Sequence, residues 1–309
     1  MPDAIKVAAA VAIGIKVAAW IDLIDDGTLP PIGHTRFLPY SARSALARFL
    51  TSDSLSEYSF STKAFTVTQT RTAILTDATH FVGDAIAKRL SSDGYTVYAV
   101  DAEFTDADRR QGFEALGSGI RALEIQDAAS VVSTVEAEEG HIDLLASNDA
   151  YPALRASVDG IDPSDLRDTF DALVFKPFAF ASEVAKRMKP RGQGKIVFLT
   201  SAAPLNGLPN YSMYCAARGA MNAAVKALAK ELGPSNIQVN AIAPNFVANP
   251  DYFPPELMAD ADKASKILKN IPLGRLGQPD EVAGMVAQLA SDEGGFFTGQ
   301  VIAASGGWA

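Results

Sequence analysis

The chain is poor in cysteine and histidine. Cys215 is the one cysteine among 309 residues, so no intramolecular disulfide can form. The three histidines, His34, His80 and His141, are not spaced as metal ligands, and no His/Cys cluster exists. Basic charge is also short. Lys and Arg number 27 against 36 Asp and Glu, a net charge of -9, which disfavours a nucleic-acid or anionic-membrane surface. Long hydrophobic runs are missing too. Ile5–Ile21 is mostly apolar, but Lys6 and Lys16 interrupt it, and a membrane span needs roughly 20 apolar residues. Asp3 and the lack of a small-x-small site before Trp20 argue against a signal peptide. The bland reading of this run is an Ala-rich helix. These absences predict a cytoplasmic protein with no metal, nucleic-acid or membrane partner.

What is present is a regular alternation from Arg71 onward. Short apolar strands are expected at Ala73–Thr76, Thr96–Val100, Ile120–Ile125, Ile142–Ser147, Lys195–Thr200, Ile237–Ile242 and Gln300–Ala304. Helical spacing fills the intervals: Val82–Leu90, Ala107–Leu116, Ala128–Glu139, Ser164–Met188 broken at Pro177, Tyr211–Leu232, Pro255–Leu268 and Pro279–Leu289. The pattern predicts an α/β fold, a doubly wound seven-stranded parallel sheet covered on both faces. It forms a single domain over 71–309. Residues 1–70 read as an irregular N-terminal extension: the Ala-rich helix, then a loose arm with Pro30-Pro31 and weak periodicity, outside the functional domain. Ligands of such sheets collect outside the carboxyl ends of the strands, where Thr76, Ser147, Ser201 and Pro244 fall.

Tyr214 and Arg218 are four apart on a predicted helix and share a face. A free phenol has a pKa of about 10, and an always-charged guanidinium beside it favours the phenolate. Such a tyrosine works as a general base. An isolated pair of this kind is more often a surface contact, but Ser201 at a strand end is placed to hold a substrate oxygen against the phenol. Upstream, Thr76-Asp77-Ala78-Thr79-His80-Phe81-Val82-Gly83 occupies the place of a glycine-rich loop. Dinucleotide binding needs glycine there so that backbone approaches the pyrophosphate. Against Thr-Gly-x-x-x-Gly-x-Gly, Gly83 alone survives, with Asp77 and Phe81 in place of the first two glycines. Asp101 stands where a ribose-binding acid would, but a strand-ending Asp is common.

Residues 71–309 resemble a short-chain dehydrogenase/reductase, whose fold is Rossmann-like. The resemblance rests on Pro272-Leu273-Gly274-Arg275-Leu276-Gly277-Gln278-Pro279-Asp280-Glu281, on Thr298-Gly299-Gln300, on Gly306-Gly307, and on Ser201 and Tyr214. Arg218 stands where most of that family carries Lys, and residues 165–190 lack the family's helix asparagine. The Ser201–Tyr214–Arg218 set, His80-Phe81 and the tract Pro244-Asn245-Phe246-Val247-Ala248-Asn249-Pro250-Asp251-Tyr252-Phe253-Pro254 resemble the cofactor-independent branch, the halohydrin dehalogenases.

That resemblance implies an enzyme without a cofactor that converts vicinal haloalcohols to epoxides with release of halide, and that runs backwards with azide, cyanide or nitrite. Ser201, Tyr214 and Arg218 would be catalytic, with Asp149 as the partner of Arg218; a solvent-facing turn is the other reading of Asp149. Phe81, Pro244, Asn245, Phe246, Val247, Tyr252 and Phe253 would bind halide and substrate. Main-chain N–H groups of 245–247 are expected to face the anion, with the Phe81 ring edge opposite. The alternative is that Phe81 and Phe246 fill a dead cofactor groove. Trp308 would line a neighbouring subunit's pocket or pack locally. Cys215 reads as a packed side chain and His80 as structural. Relatives pair through helices corresponding to 176–190 and 211–232, which implies a homotetramer. Two other functions compete: an atypical NAD(P)-dependent reductase with a rebuilt cofactor site, and a non-enzymatic scaffold of the same fold.

Overall fold

Short apolar stretches bounded by turn residues become strands buried on both faces. The structure, a computed structural model, describes residues 70–250 and 252–309. The readings made for residues 1–69 lie outside the described residues. Seven strands, β1 (Arg71–Thr76), β2 (Tyr95–Val100), β3 (Ile120–Leu123), β4 (Leu144–Ser147), β5 (Gly194–Leu199), β6 (Ile237–Pro244) and β7 (Val301–Ala304), form one parallel sheet. Its order is β3-β2-β1-β4-β5-β6-β7, so the winding reverses between β1 and β4. The predicted fold class is met.

Helices α1 (Gly83–Ser92), α2 (Ala107–Glu114), α3 (Ala128–Glu139), α4 (Pro163–Phe170), α5 (Lys176–Arg191), α6 (Ala203–Asn206), α7 (Ser212–Leu232), α8 (Pro255–Ala259), α9 (Ala261–Leu268) and α10 (Pro279–Ala290) complete the described fold. Alternation along the strands divides the core. Ala73, Leu75 and Val97 pack with Ile86 of α1 and Val286 of α10. Ile74, Tyr98 and Leu145 pack with Val131 of α3, Val184 of α5 and Met221 of α7. Burial on both faces explains why β4, Leu-Leu-Ala-Ser, carries no charge.

One helical expectation is met with a detail added and one needs correction. The 164–188 segment breaks ahead of Pro177, in a π-helical turn at Asp171–Phe175. Proline lacks an N–H and its ring clashes with the carbonyl four residues back, and the wider turn absorbs both before α5 begins. The 255–268 segment is two helices. Asp260 leaves helical geometry at φ -78°, ψ 106° and its carboxylate caps α9 by accepting from the N–H groups of Asp262 and Lys263.

Gly83 opens α1 because nothing larger fits. A Cβ there would stand 2.2 Å from the carbonyl oxygen of Ala78, which is backbone and has little freedom to retreat. Gly83→Ala is expected to destabilise the fold by about 1–3 kcal/mol through overpacking. Urea unfolding measures it, and an unchanged midpoint would mean that the loop from Thr76 to Val82 shifts freely.

Candidate active site

Thr76, Ser147 and Pro244 are the last residues of β1, β4 and β6, and Ser201 lies two residues past β5. Their shared edge, at the reversal of strand order, opens into a cavity of about 320 Å³. All eleven residues singled out in the sequence line it: Ser201, Tyr214, Arg218 and Asp149, with Phe81, Pro244, Asn245, Phe246, Val247, Tyr252 and Phe253.

Helix α7 brings Tyr214 and Arg218 to the cavity. One turn separates Tyr214 from Arg218, and the guanidinium carbon lies 5.3 Å from the centroid of the Tyr214 ring. Arg218 is buried, and a buried charge needs partners. It donates to two main-chain carbonyls, from Nη1 to Leu199 at 3.0 Å and from Nη2 to Asp149 at 2.9 Å. Burial opposes its charge, but the phenols of Tyr214 and Tyr252 and the Asp149 carboxylate outweigh burial and raise its pKa. Another turn along α7, Asn222 donates to the Ser201 carbonyl at 3.2 Å. Ser201 Oγ accepts from the N–H of Ala203 at 3.0 Å, which leaves the hydroxyl proton for a group in the cavity.

Asp149 is buried, so the solvent-facing reading fails. Its link to Arg218 is made by the main-chain carbonyl. The carboxylate itself accepts from Thr76 Oγ1 at 3.2 Å and from Ser147 Oγ. Burial, then the neighbouring Asp77 carboxylate, push its pKa up to about 6 against the pull of Ser147, Lys176 and Arg218.

The loop after β1 keeps glycine-like backbone without the glycines. Asp77 has φ +43° and Phe81 φ +52°, the left-handed region that disfavours a side chain. Local bonds hold them there. Asn148 Nδ2 donates to the carbonyls of Asp77 and His80, both at 2.9 Å. Asp101 accepts from the N–H and hydroxyl of Thr79 and from the N–H of Glu103, each at 2.9 Å, so its carboxylate is committed to the protein. Phe81 meets the Tyr252 ring edge-on at 6.2 Å inside the cavity wall. These residues do not fit a nicotinamide dinucleotide. A phenyl ring and a carboxylate stand where backbone has to approach the pyrophosphate.

The loop after β6 departs from expectation in one respect. The N–H of Asn245 donates to the Ala304 carbonyl at 3.1 Å and that of Phe246 to Asn245 Oδ1 at 3.0 Å. Of the three donors expected to face an anion, Val247 is the one without a protein partner among the described residues. Phe246 is itself left-handed, φ +55°, which turns the chain so that Val247 bridges to Gly277. Sequence reasoning missed Asn249. It is buried, donates to the Val247 carbonyl at 2.7 Å and accepts from the Tyr252 N–H at 2.9 Å, fixing the loop's shape. Its position before Pro250 was a turn signal. Leu208 and Tyr211, also missed, line the mouth ahead of α7 with nothing in the pattern to mark them. Within this chain Trp308 packs locally, its ring edge-on to Phe246 at 5.6 Å and its carbonyl bonded by Asn206 Nδ2 at 2.6 Å.

Among the described residues no helix is long and apolar enough to cross a membrane, and no group of His, Cys, Asp and Glu is arranged to hold a metal. The family model described as enoyl-(acyl carrier protein) reductase matches residues 78–309. Human dehydrogenase/reductase SDR family member 4 is 29% identical over 243 residues, 77% of this chain and 87% of its own length. The short-chain reductase protein NovJ of Streptomyces niveus is 32% identical over 250 residues, covering 78% and 95%. Among solved structures, one described as a dehalogenation enzyme is 41% identical with a TM-score of 0.75, covering 78% of this chain and 99% of that one. A halohydrin dehalogenase bound to ethyl (2S)-oxiran-2-ylacetate is 38% identical with a TM-score of 0.73, covering 76% and 96%. A parallel sheet wound in this order, with Ser201 past a strand end and Tyr214 on the next long helix lining one cavity, and relatives that match over three quarters of the chain, make it a member of the short-chain dehydrogenase/reductase superfamily.

Proposed function

We propose that the protein is a halohydrin dehalogenase. The observation that carries this reading is the convergence, in one cavity, of a guanidinium-braced phenol, a serine hydroxyl and a phenylalanine in the space a redox carrier would need. The likeness to two dehalogenase structures at 41% and 38% identity supports it.

In this mechanism Ser201 donates a hydrogen bond to the hydroxyl oxygen of a haloalcohol and holds it against Tyr214. The phenolate, stabilised by the buried charge of Arg218, takes the hydroxyl proton. The freed oxygen pair attacks the neighbouring carbon from behind, and the carbon–halogen bond breaks with its electrons going to halide. Epoxide, halide and a protonated tyrosine result, and no redox step occurs. Orientation and the fixed positive charge supply the acceleration. The halide leaves into the space between Phe81 and the 244–247 turn, where the Val247 N–H is available to it. Reversal would admit azide, cyanide or nitrite to open an epoxide. The same reading carries a cytoplasmic homotetramer paired through α5 and α7, and the exposure of Phe175 and Phe178 beside α5 is compatible with it. The reductase reading has the sequence relatives in its favour but has to seat a dinucleotide against Phe81 and Asp77.

The parent enzyme is expected to release bromide from a short bromo-alcohol with no nicotinamide added. Tyr214→Phe should lose at least about 100-fold of that rate. Halide release that survives in Tyr214→Phe removes the phenol from the mechanism, and saturable NADH binding by the parent favours the reductase.

Asp149 gives a second expectation. Its folded pKa lies above the unfolded carboxylate value of about 3.9. Between about pH 4 and pH 6 the native state therefore holds more protons, and this group's contribution to stability falls as pH rises. Asp149→Asn should gain on the parent between pH 4 and pH 7, by about 1.4 kcal/mol for each unit by which burial raises the carboxyl. Urea unfolding at the two pH values measures it. A difference that is constant or shrinks with pH refutes the assignment.

A further inference from the structure

Asp77 replaces a glycine, sits in a left-handed conformation and is buried, yet nothing in the mechanism above uses it. Its bonds assign it work. Oδ1 accepts from Lys176 Nζ, which reaches in from the start of α5. Oδ2 accepts from the main-chain N–H of Ala150 at 2.8 Å. The carbonyl of that same peptide unit belongs to Asp149 and accepts from Arg218 Nη2. One peptide plane therefore has Asp77 at its N–H end and the guanidinium at its oxygen. A peptide is planar, so fixing the N–H direction fixes the carbonyl direction. A charged acceptor on the N–H also polarises the unit and strengthens its oxygen as an acceptor.

We propose that Asp77 is a positioning residue for Arg218, acting through the 149–150 peptide, with Lys176 neutralising its charge. The charged groups facing Asp77 are Lys176 from α5, Asp149 from the end of β4 and, across the peptide, Arg218 from α7. Lys176 sets a cation directly against the Asp77 carboxylate, beside the second buried carboxylate of Asp149, and the Asp77 bond to the Ala150 N–H keeps the peptide oriented. The ammonium of Lys176 and the carboxylate of Asp77 come from positions 99 residues apart, so the strut exists in the folded chain alone.

The kinetic arm of the test rests on the dehalogenase reading, and the spectroscopic arm does not. Asp77→Gly is the useful variant, because glycine adopts φ +43° without strain and the loop keeps its course. Asp77→Asn is the conservative variant, since its carbonyl still accepts from Ala150. In Asp77→Gly, kcat for bromide release should fall at least tenfold while KM for the bromo-alcohol changes less than threefold; Asp77→Asn should recover most of the loss. Adding Lys176→Met to Asp77→Gly should cost nothing further, because Lys176 acts through Asp77. Independently of turnover, the ultraviolet titration of Tyr214, read as the difference between each protein and its Tyr214→Phe counterpart, should move to higher pH in Asp77→Gly, and by less in Asp77→Asn. A parent that releases no bromide defeats the dehalogenase reading and leaves the titration to decide. An unmoved titration overturns the assignment of Asp77, and so does an unchanged kcat in an active parent.

Discussion

The architecture of the site depends on keeping one guanidinium out of water beside a phenol. Arg218 is buried, and the energy of burying a charge is recovered only when its donors are met. Here two carbonyls meet them, that of Leu199 at the carboxyl end of β5 and that of Asp149 two residues past β4. The sheet thus presents its strand-end carbonyls to a cation on α7. Lysine at this position would bring a point charge with rotating donors. Arginine brings a planar fork that spans the gap from β5 to β4 and lays its face towards the tyrosine ring. The position of Tyr214 over its neighbour follows from helical spacing alone, but the orientation of that neighbour follows from the two strands.

Around this charge the backbone is left-handed at three side-chain-bearing residues, Asp77, Phe81 and Phe246. Each lines or borders the cavity, where such conformations persist when surrounding bonds over-determine them. Asn148 ties two carbonyls of the first loop, and Asn249 and Asn245 tie the second. The first loop therefore retains the left-handed backbone of a glycine-rich turn while the Phe81 ring lines the cavity and the Asp77 carboxylate is bonded to Lys176 and the Ala150 N–H.

The sheet was legible in the sequence because each strand is a short, mostly apolar run bounded by turn residues, and the strand-end residues followed from the order of elements. The cavity residues were legible because Ser201, Tyr214 and Arg218 have a spacing that a strand, a turn and a helix translate into proximity. What stayed hidden depends on contacts between distant segments or on backbone direction. Pro177 marked a break in the right helix, but the π turn ahead of it relieves a clash with a carbonyl that no local pattern displays. Asn245 and Phe246 have N–H groups, and whether those face the cavity depends on Ala304 and on the Asn245 side chain closing back on them. The Asp149 carboxylate and carbonyl face different partners, a distinction that residue identity does not carry.

Sequence relatives of this chain carry reductase names while two of its structural relatives carry dehalogenase names, and the two results agree once their sources are separated. A parallel sheet and the helices that cover it can serve either chemistry. On the reading proposed above, function turns on a handful of positions at the strand ends: glycine at 77 and 81 with lysine at 218 would leave room and charge for a dinucleotide, where this chain has Asp77, Phe81 and Arg218. A fold wound to gather strand ends at one crevice supplies the crevice in both cases. Two of those positions are linked, because Asp77 is bonded to the peptide that receives Arg218, and Phe81 lines the same cavity as Arg218. Replacing Asp77 alone would leave the Ala150 N–H and the Lys176 ammonium without their acceptor, so on the proposed reading the difference between the two chemistries belongs to the loop and the helix together rather than to any single residue.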